Sequence, residues 1–240
     1  SEQLPPPPTL MHAMIAISLL VEVGAVITGI AIGVADQRAA AVTMAMTYTS
    51  CAALTWFFMS DWLKSRGTQP MAVWCWPGQL APDPIPPAIW SGDGSRGRRF
   101  LFGLAIGGSL GIIFGLLAHG YTALLQHFHF SAEQLRTARD VLEQSPNLKI
   151  TYGFLAICVA PFVEEYLFRG LLFRALDREW GGWRAVLGNA AFFAIYHPPL
   201  SWPPVFLIGA LNALLFKKTG RLAPAVALHM IYNAVVVLSA

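Results

Sequence analysis

Two adjacent glutamates and an arginine, Glu164, Glu165 and Arg169, stand at the end of an apolar run, 150–163. A charge inside a bilayer costs several kcal/mol unless it is paired or reaches water, so an intramembrane ionisable residue points first to function. On a helix, Glu165 and Arg169 lie at i and i+4 on one face and can pair. Glu164 lies about 100° further round and cannot share that arginine equally well. The spacing therefore predicts one glutamate with a structural partner and one left over for acid–base chemistry. Phe193 and His197 are also at i and i+4, as are His229 and Asn233. A lone intramembrane histidine or asparagine is ordinarily an interhelical hydrogen-bond partner. Two histidines, an asparagine and a spare glutamate in three consecutive apolar segments are the pattern of a site.

The basic residues mark how deep each group sits. Glu164 is about 8 Å of helical rise from Arg169, and His229 about 12 Å from Arg221. His197 is about 20 Å from Arg184 if that whole stretch is helical, less if the helix starts later or tilts. The three are expected to converge in one half of the membrane. Pro198 and Pro199 would end a helix there, which is tolerated where broken backbone lines a cavity.

Composition sets the class. The 240 residues are 55% hydrophobic and 12% charged, with a mean hydropathy of +0.54, whereas roughly a quarter of a soluble domain is charged. The chain reads as all-α: a polytopic helical membrane protein of about seven transmembrane segments, some short or broken. The net charge of +3 is small, and no basic face interleaved with aromatics suggests a nucleic-acid partner. Cys51, Cys75 and Cys158 have no CxxC spacing and imply neither a disulfide framework nor a thiolate metal site.

Residues 1–147 form an N-terminal transmembrane region with spans at about 9–34, 39–63 and 100–125; 148–240 hold the candidate chemistry. Residues 1–8, with four consecutive prolines and no basic n-region, read as a short polyproline arm rather than a signal peptide. Glu22, within the first span, and the 64–99 connection, rich in proline and tryptophan, are the features that would suit a membrane-protein partner. The tryptophans of that connection fit the headgroup level. Gly103, Gly107 and Gly111 recur every four residues, a small-xxx-small face for close helix packing. His127 and His129 are expected at the interface, and 131–145 as a short surface helix. Beyond the helix at 148–173, the basic stretch 174–184 reads as a connection, followed by apolar segments at 185–196, 203–216 and 222–238. Basic connections at 64–99, 174–184 and 217–221 fall on one side if the N-terminus is cytoplasmic and the C-terminus outside.

The order of motifs is recognisable. Glu164-Glu165-Tyr-Leu-Phe-Arg169 fits EExxxR, Phe193-Ala-Ile-Tyr-His197 fits FxxxH, and His229-Met-Ile-Tyr-Asn233 fits HxxxN. Over 148–240 the chain resembles the CPBP family of type II CAAX prenyl and bacteriocin-processing intramembrane proteases, also called the Abi family. The resemblance implies an endopeptidase of the bacterial inner membrane that hydrolyses a peptide bond of a membrane-embedded or membrane-adjacent protein. By its implication Glu164 is the general base that activates water, and His197 positions that water or assists proton transfer. His229 and Asn233 would donate to the tetrahedral oxyanion, a role in which one donor is worth about 3–4 kcal/mol. Glu165 and Arg169 would hold the site, and Phe193 would pack beside His197. No cofactor is implied; the rival is zinc on Glu164, His197 and His229, although HExxH is absent. The reading from another class is a non-catalytic CPBP-fold scaffold, immunity factor or assembly subunit. A transporter is disfavoured because the halves show no inverted repeat.

Overall fold

The computed structural model describes residues 9–18, 20, 37–65, 70, 73, 94–128 and 146–239. The 1–8 arm, Glu22, Cys75, His129, the 131–145 helix and most of the 64–99 connection lie outside the described residues. Among the described residues there is no strand. The helices are α1 (10–18), α2 (Gln37–Ser65), α3 (Gly94–His127), α4 (146–179), α5 (Gly182–Ile195), α6 (Trp202–Thr219) and α7 (Ala223–Leu238). Phe100–His127 and Pro199–Thr219, with mean hydropathies of 2.2 and 1.5, are long and apolar enough to cross a membrane, and α7 is a shorter apolar helix. The protein is an all-α membrane protein.

The sharpest packing is between α3 and α7, and it follows from the glycine repeat. A side chain at Gly107 would strike the Pro224 carbonyl oxygen. At Gly111 a Cβ would lie 2.6 Å from the Leu228 carbonyl oxygen, and at Gly115 2.7 Å from Val235 Cβ. Gly103 faces the Pro224 ring. Only glycine allows this approach, which gains dispersion contact where lipid supplies no hydrophobic drive.

Helix α4 is continuous but irregular. Its backbone widens to π-helical turns at Leu155–Val159 and again at Tyr166–Phe173. Pro161 explains the first. It has no N–H, so the carbonyls four and five residues back lose a donor, and the turn ahead of it opens. All eight residues of the second wide stretch are buried, as expected for a segment surrounded by other helices. The expectation of a loop over 174–184 is corrected: Arg174–Glu179 continues the helix. The charges there concealed buried Ala175 and Leu176, which make the turn worth folding. The break comes at Gly181 and Gly182, with φ of 66° and 51°, where other residues would be strained.

The remaining turns match their sequence. Helix α5 stops at Ile195 before Pro198, which is extended (φ −55°, ψ 139°). Helix α6 opens with Pro203 and Pro204 in its first turn, where no donor is missed, and closes on left-handed Gly220 (φ 69°). At that end of the bundle Lys217 Nζ pairs with Asp177 Oδ1 at 2.6 Å. Arg174 Nη2 donates to the Val73 carbonyl at 2.8 Å, and Arg221 lies over the Phe100 ring. The basic residues of α4, α6 and the α6–α7 turn are thus gathered at one end.

Gly111→Leu should lower the thermal midpoint in detergent by the equivalent of about 1–3 kcal/mol, the usual cost of overpacking. Gly120, on the same helix, has open space where a Cβ would go. Gly120→Ala should leave the midpoint unchanged or raise it slightly. Equal midpoints for wild type and Gly111→Leu would refute the packing account.

Candidate active site

Glu165 forms the dry centre. Its side chain and that of Arg169 are both 0% exposed, with Arg169 Nη1 donating to Glu165 Oε1 at 3.0 Å, so the i, i+4 pair forms as the spacing predicts. The same oxygen accepts from Asn212 Nδ2 of α6 at 2.8 Å and lies 2.8 Å from His229 Nδ1 of α7. Arg169 is held twice more: Nη2 donates to the Gly209 carbonyl at 3.1 Å, and its guanidinium lies 4.3 Å over the Phe193 ring, a cation–π contact.

Glu164 is different in kind. It is adjacent in sequence but turned away from the arginine, and its side chain retains 21% exposure. Its Oε2 lies 3.7 Å from His229 Nε2, beyond direct hydrogen-bond length. Tyr48 of α2 and Tyr152 of α4 face it, Tyr48 placed to hydrogen-bond it. The imidazole of His229 thus stands between the two carboxylates, one nitrogen towards each.

His197 closes the α5 helix. Its backbone N–H donates to the Ala194 carbonyl at 2.9 Å. Its Nδ1 lies 2.8 Å from the Phe193 carbonyl. A carbonyl only accepts, so Nδ1 carries the proton and a neutral His197 keeps its Nε2 lone pair free. Trp202 Nε1 donates to the His197 carbonyl at 2.8 Å and fixes the turn. Phe193 sits between the histidines, its ring centroid 4.8 Å from that of His197 and 5.6 Å from that of His229.

Asn233 is brought to α4 rather than to the carboxylates. Its Nδ2 donates at 2.7 Å to the Ala156 carbonyl, one of those that Pro161 leaves without a donor. The second hydrogen of that amide is not used by this bond.

The structure therefore brings Glu164, Glu165, Arg169, Phe193 and His229 into one cluster, with His197 against its Phe193 wall and Asn233 one helical turn beyond His229. Among the described residues no three of His, Cys, Asp and Glu gather as a metal-ligand group. The rival zinc set of Glu164, His197 and His229 is not such a group. Sequence reasoning missed Asn212, and also buried Asn189, whose Nδ2 donates to the Phe168 carbonyl at 2.7 Å. Both were legible by the signal that marked Asn233, an asparagine inside an apolar helix.

Residues 146–235 match the family model of the type II CAAX prenyl endopeptidase Rce1-like proteins. A Bacillus subtilis (strain 168) protein named "Putative membrane peptidase YdiL" is 25% identical over 149 residues, 60% of this chain and 59% of that protein. The chain thus spans about three-fifths of the length of the curated relative it matches. No solved structure matches it. Both similarities support a CPBP-family assignment for the region that carries the site.

Arg169→Met should cost about 3–5 kcal/mol of stability, because it strands a buried carboxylate. Adding Glu165→Gln should recover part of the loss, since the amide needs no counter-charge. Thermal unfolding of the two single variants and the double variant checks this. Additive losses would show that the pair does not act as a unit.

Proposed function

We propose that the protein is an intramembrane endopeptidase that hydrolyses a peptide bond of a membrane-embedded or membrane-adjacent protein with water activated by Glu164. The observation that supports this most is the division of labour between adjacent carboxylates. Glu165 is sealed and triply bonded; Glu164 is partly exposed, has no arginine and faces a histidine nitrogen.

The steps follow from these groups. Glu164 takes a proton from water as the water oxygen attacks the scissile carbonyl carbon. The carbonyl π electrons move to oxygen. His229, when protonated at Nε2, and the unused amide hydrogen of Asn233 stabilise that oxyanion. On collapse the C–N bond breaks, and Glu164 returns its proton to the leaving amine. His197, with its free Nε2, orients the attacking water or assists the transfer. The route takes no metal, and the substrate is a protein or peptide that the bilayer presents. In this reading the protein resides in a bacterial plasma membrane, and the excess of basic residues at the end carrying Lys217 and Arg221 supports a cytoplasmic side there.

Glu164→Gln should abolish cleavage while leaving the thermal midpoint in place, because the amide keeps the shape without the basicity. Comparing membranes containing wild-type or Glu164→Gln protein by peptide mass spectrometry should show cleavage products in the wild type alone. His229→Ala should lower kcat by about a hundred- to a thousandfold with a smaller change in KM. Chelators should leave turnover intact. Cleavage retained by Glu164→Gln would eliminate the glutamate mechanism; loss in chelator restored by zinc would move the assignment to a metal route. No cleavage by wild type, with a stoichiometric membrane partner co-purifying, would favour a scaffold.

Orientation has its own check. A cysteine introduced near residue 238 should react with an impermeant maleimide from outside the cell, and one at position 218 should not. The reverse pattern would invert the placement.

A further inference from the structure

Asn212 lies on α6, is fully buried, and belongs to none of the three motifs. Its amide is committed on the donor side alone. Nδ2 donates to Glu165 Oε1 at 2.8 Å, whereas its own Oδ1 is buried and has no hydrogen-bond partner among the described residues. Flipping the amide would set oxygen against carboxylate oxygen, so the nitrogen must face Glu165. Buried Asn189 also leaves its Oδ1 without a partner among the described residues but donates to a backbone carbonyl, that of Phe168, so what sets Asn212 apart is the oxygen it serves. That oxygen is the one His229 also contacts.

Gly209, three residues earlier on the same face of α6, supplies the carbonyl that takes Arg169 Nη2 at 3.1 Å. Helix α6 therefore grips both members of the buried ion pair, the arginine by an acceptor and the glutamate by a donor. Glu165 Oε1 receives Arg169 and Asn212 and, being the carboxylate of an ion pair, can only accept. The third group on it, His229 Nδ1 at 2.8 Å, must then be a donor.

We propose that Asn212 is a positioning residue: by holding Glu165 Oε1 in place with Arg169, it keeps a proton on His229 Nδ1 and so leaves His229 Nε2 to exchange protons with Glu164. The consequence for chemistry rests on the reading of Glu164 as base. With Nδ1–H occupied, Nε2 is the nitrogen that faces Glu164 Oε2, so the pair handles a single proton at a defined place. With Nδ1 bare, the imidazole would carry its neutral-form proton on Nε2 permanently and could not accept one from Glu164.

The test is nitrogen NMR of the full-length protein in lipid nanodiscs, with ring-labelled histidine. The chain has six histidines, and the His229 signals are identified by their loss in His229→Gln. Wild type should show a protonated Nδ1 at His229 across the pH range in which the protein stays folded. Asn212→Leu, similar in size without the donor, should lose that single signature and populate the form with bare Nδ1. Asn212→Gln, which retains an N–H donor, should restore the signature at least in part. A bare Nδ1 in wild type, or an Asn212→Leu spectrum identical to wild type, would overturn the proposal. The wild-type spectrum requires no variant to fold, so it decides the first point by itself. The readout does not involve proteolysis, so failure of the protease reading would appear in the Glu164→Gln comparison and leave this result standing.

Discussion

A single carboxylate oxygen organises the interior. Glu165 Oε1 is met by donors from its own helix, from α6 and from α7. In a dry interior an uncompensated carboxylate is among the costliest groups a protein can hold. Helices that fail to bring Arg169, Asn212 and His229 to it would leave that cost uncovered. The cluster need not add net stability, since buried ion pairs often do no better than apolar isosteres. What it supplies is discrimination, because few arrangements of α4, α6 and α7 satisfy the same oxygen.

The depth of His229 in that cluster is set on the opposite face of its helix. Leu228, Ile231 and Val235 of α7 press on Gly111 and Gly115 of α3. Approach of backbone to backbone fixes the height and rotation of α7 more tightly than interleaved large side chains would. His229 and Asn233, offset round the helix, then point to α4. The glycine face of α3 contributes no chemical group, but it determines where two of them stand.

Helix α4 carries both glutamates between two wide turns. π-helical turns expose backbone groups that a regular helix would consume, and they recur at functional sites. Here the first, ahead of Pro161, frees the Ala156 carbonyl that anchors Asn233. The second starts at Tyr166, immediately after Glu165, and alters the phase at which Arg169 returns to it. The division between a sealed and a reachable glutamate depends on this local geometry as well as on the i, i+4 spacing.

Much was legible in the sequence, for physical reasons that act locally. Low charge and long apolar runs determined a helical membrane protein. The i, i+4 spacing determined the Glu165–Arg169 pair, and glycine every four residues determined a close helix contact, since both depend only on helical periodicity. Pro198 and the 217–221 connection marked real breaks. The helix over 174–179 was hidden because its charges outweighed a short buried stripe that only packing reveals. Tertiary structure alone decided which groups share an oxygen. That His229 addresses both glutamates, that Asn212 completes the cluster and that Asn233 serves a carbonyl freed by Pro161 are matters of distance between helices. No spacing along the chain encodes them, because the same side chains could have paired otherwise at another helix rotation.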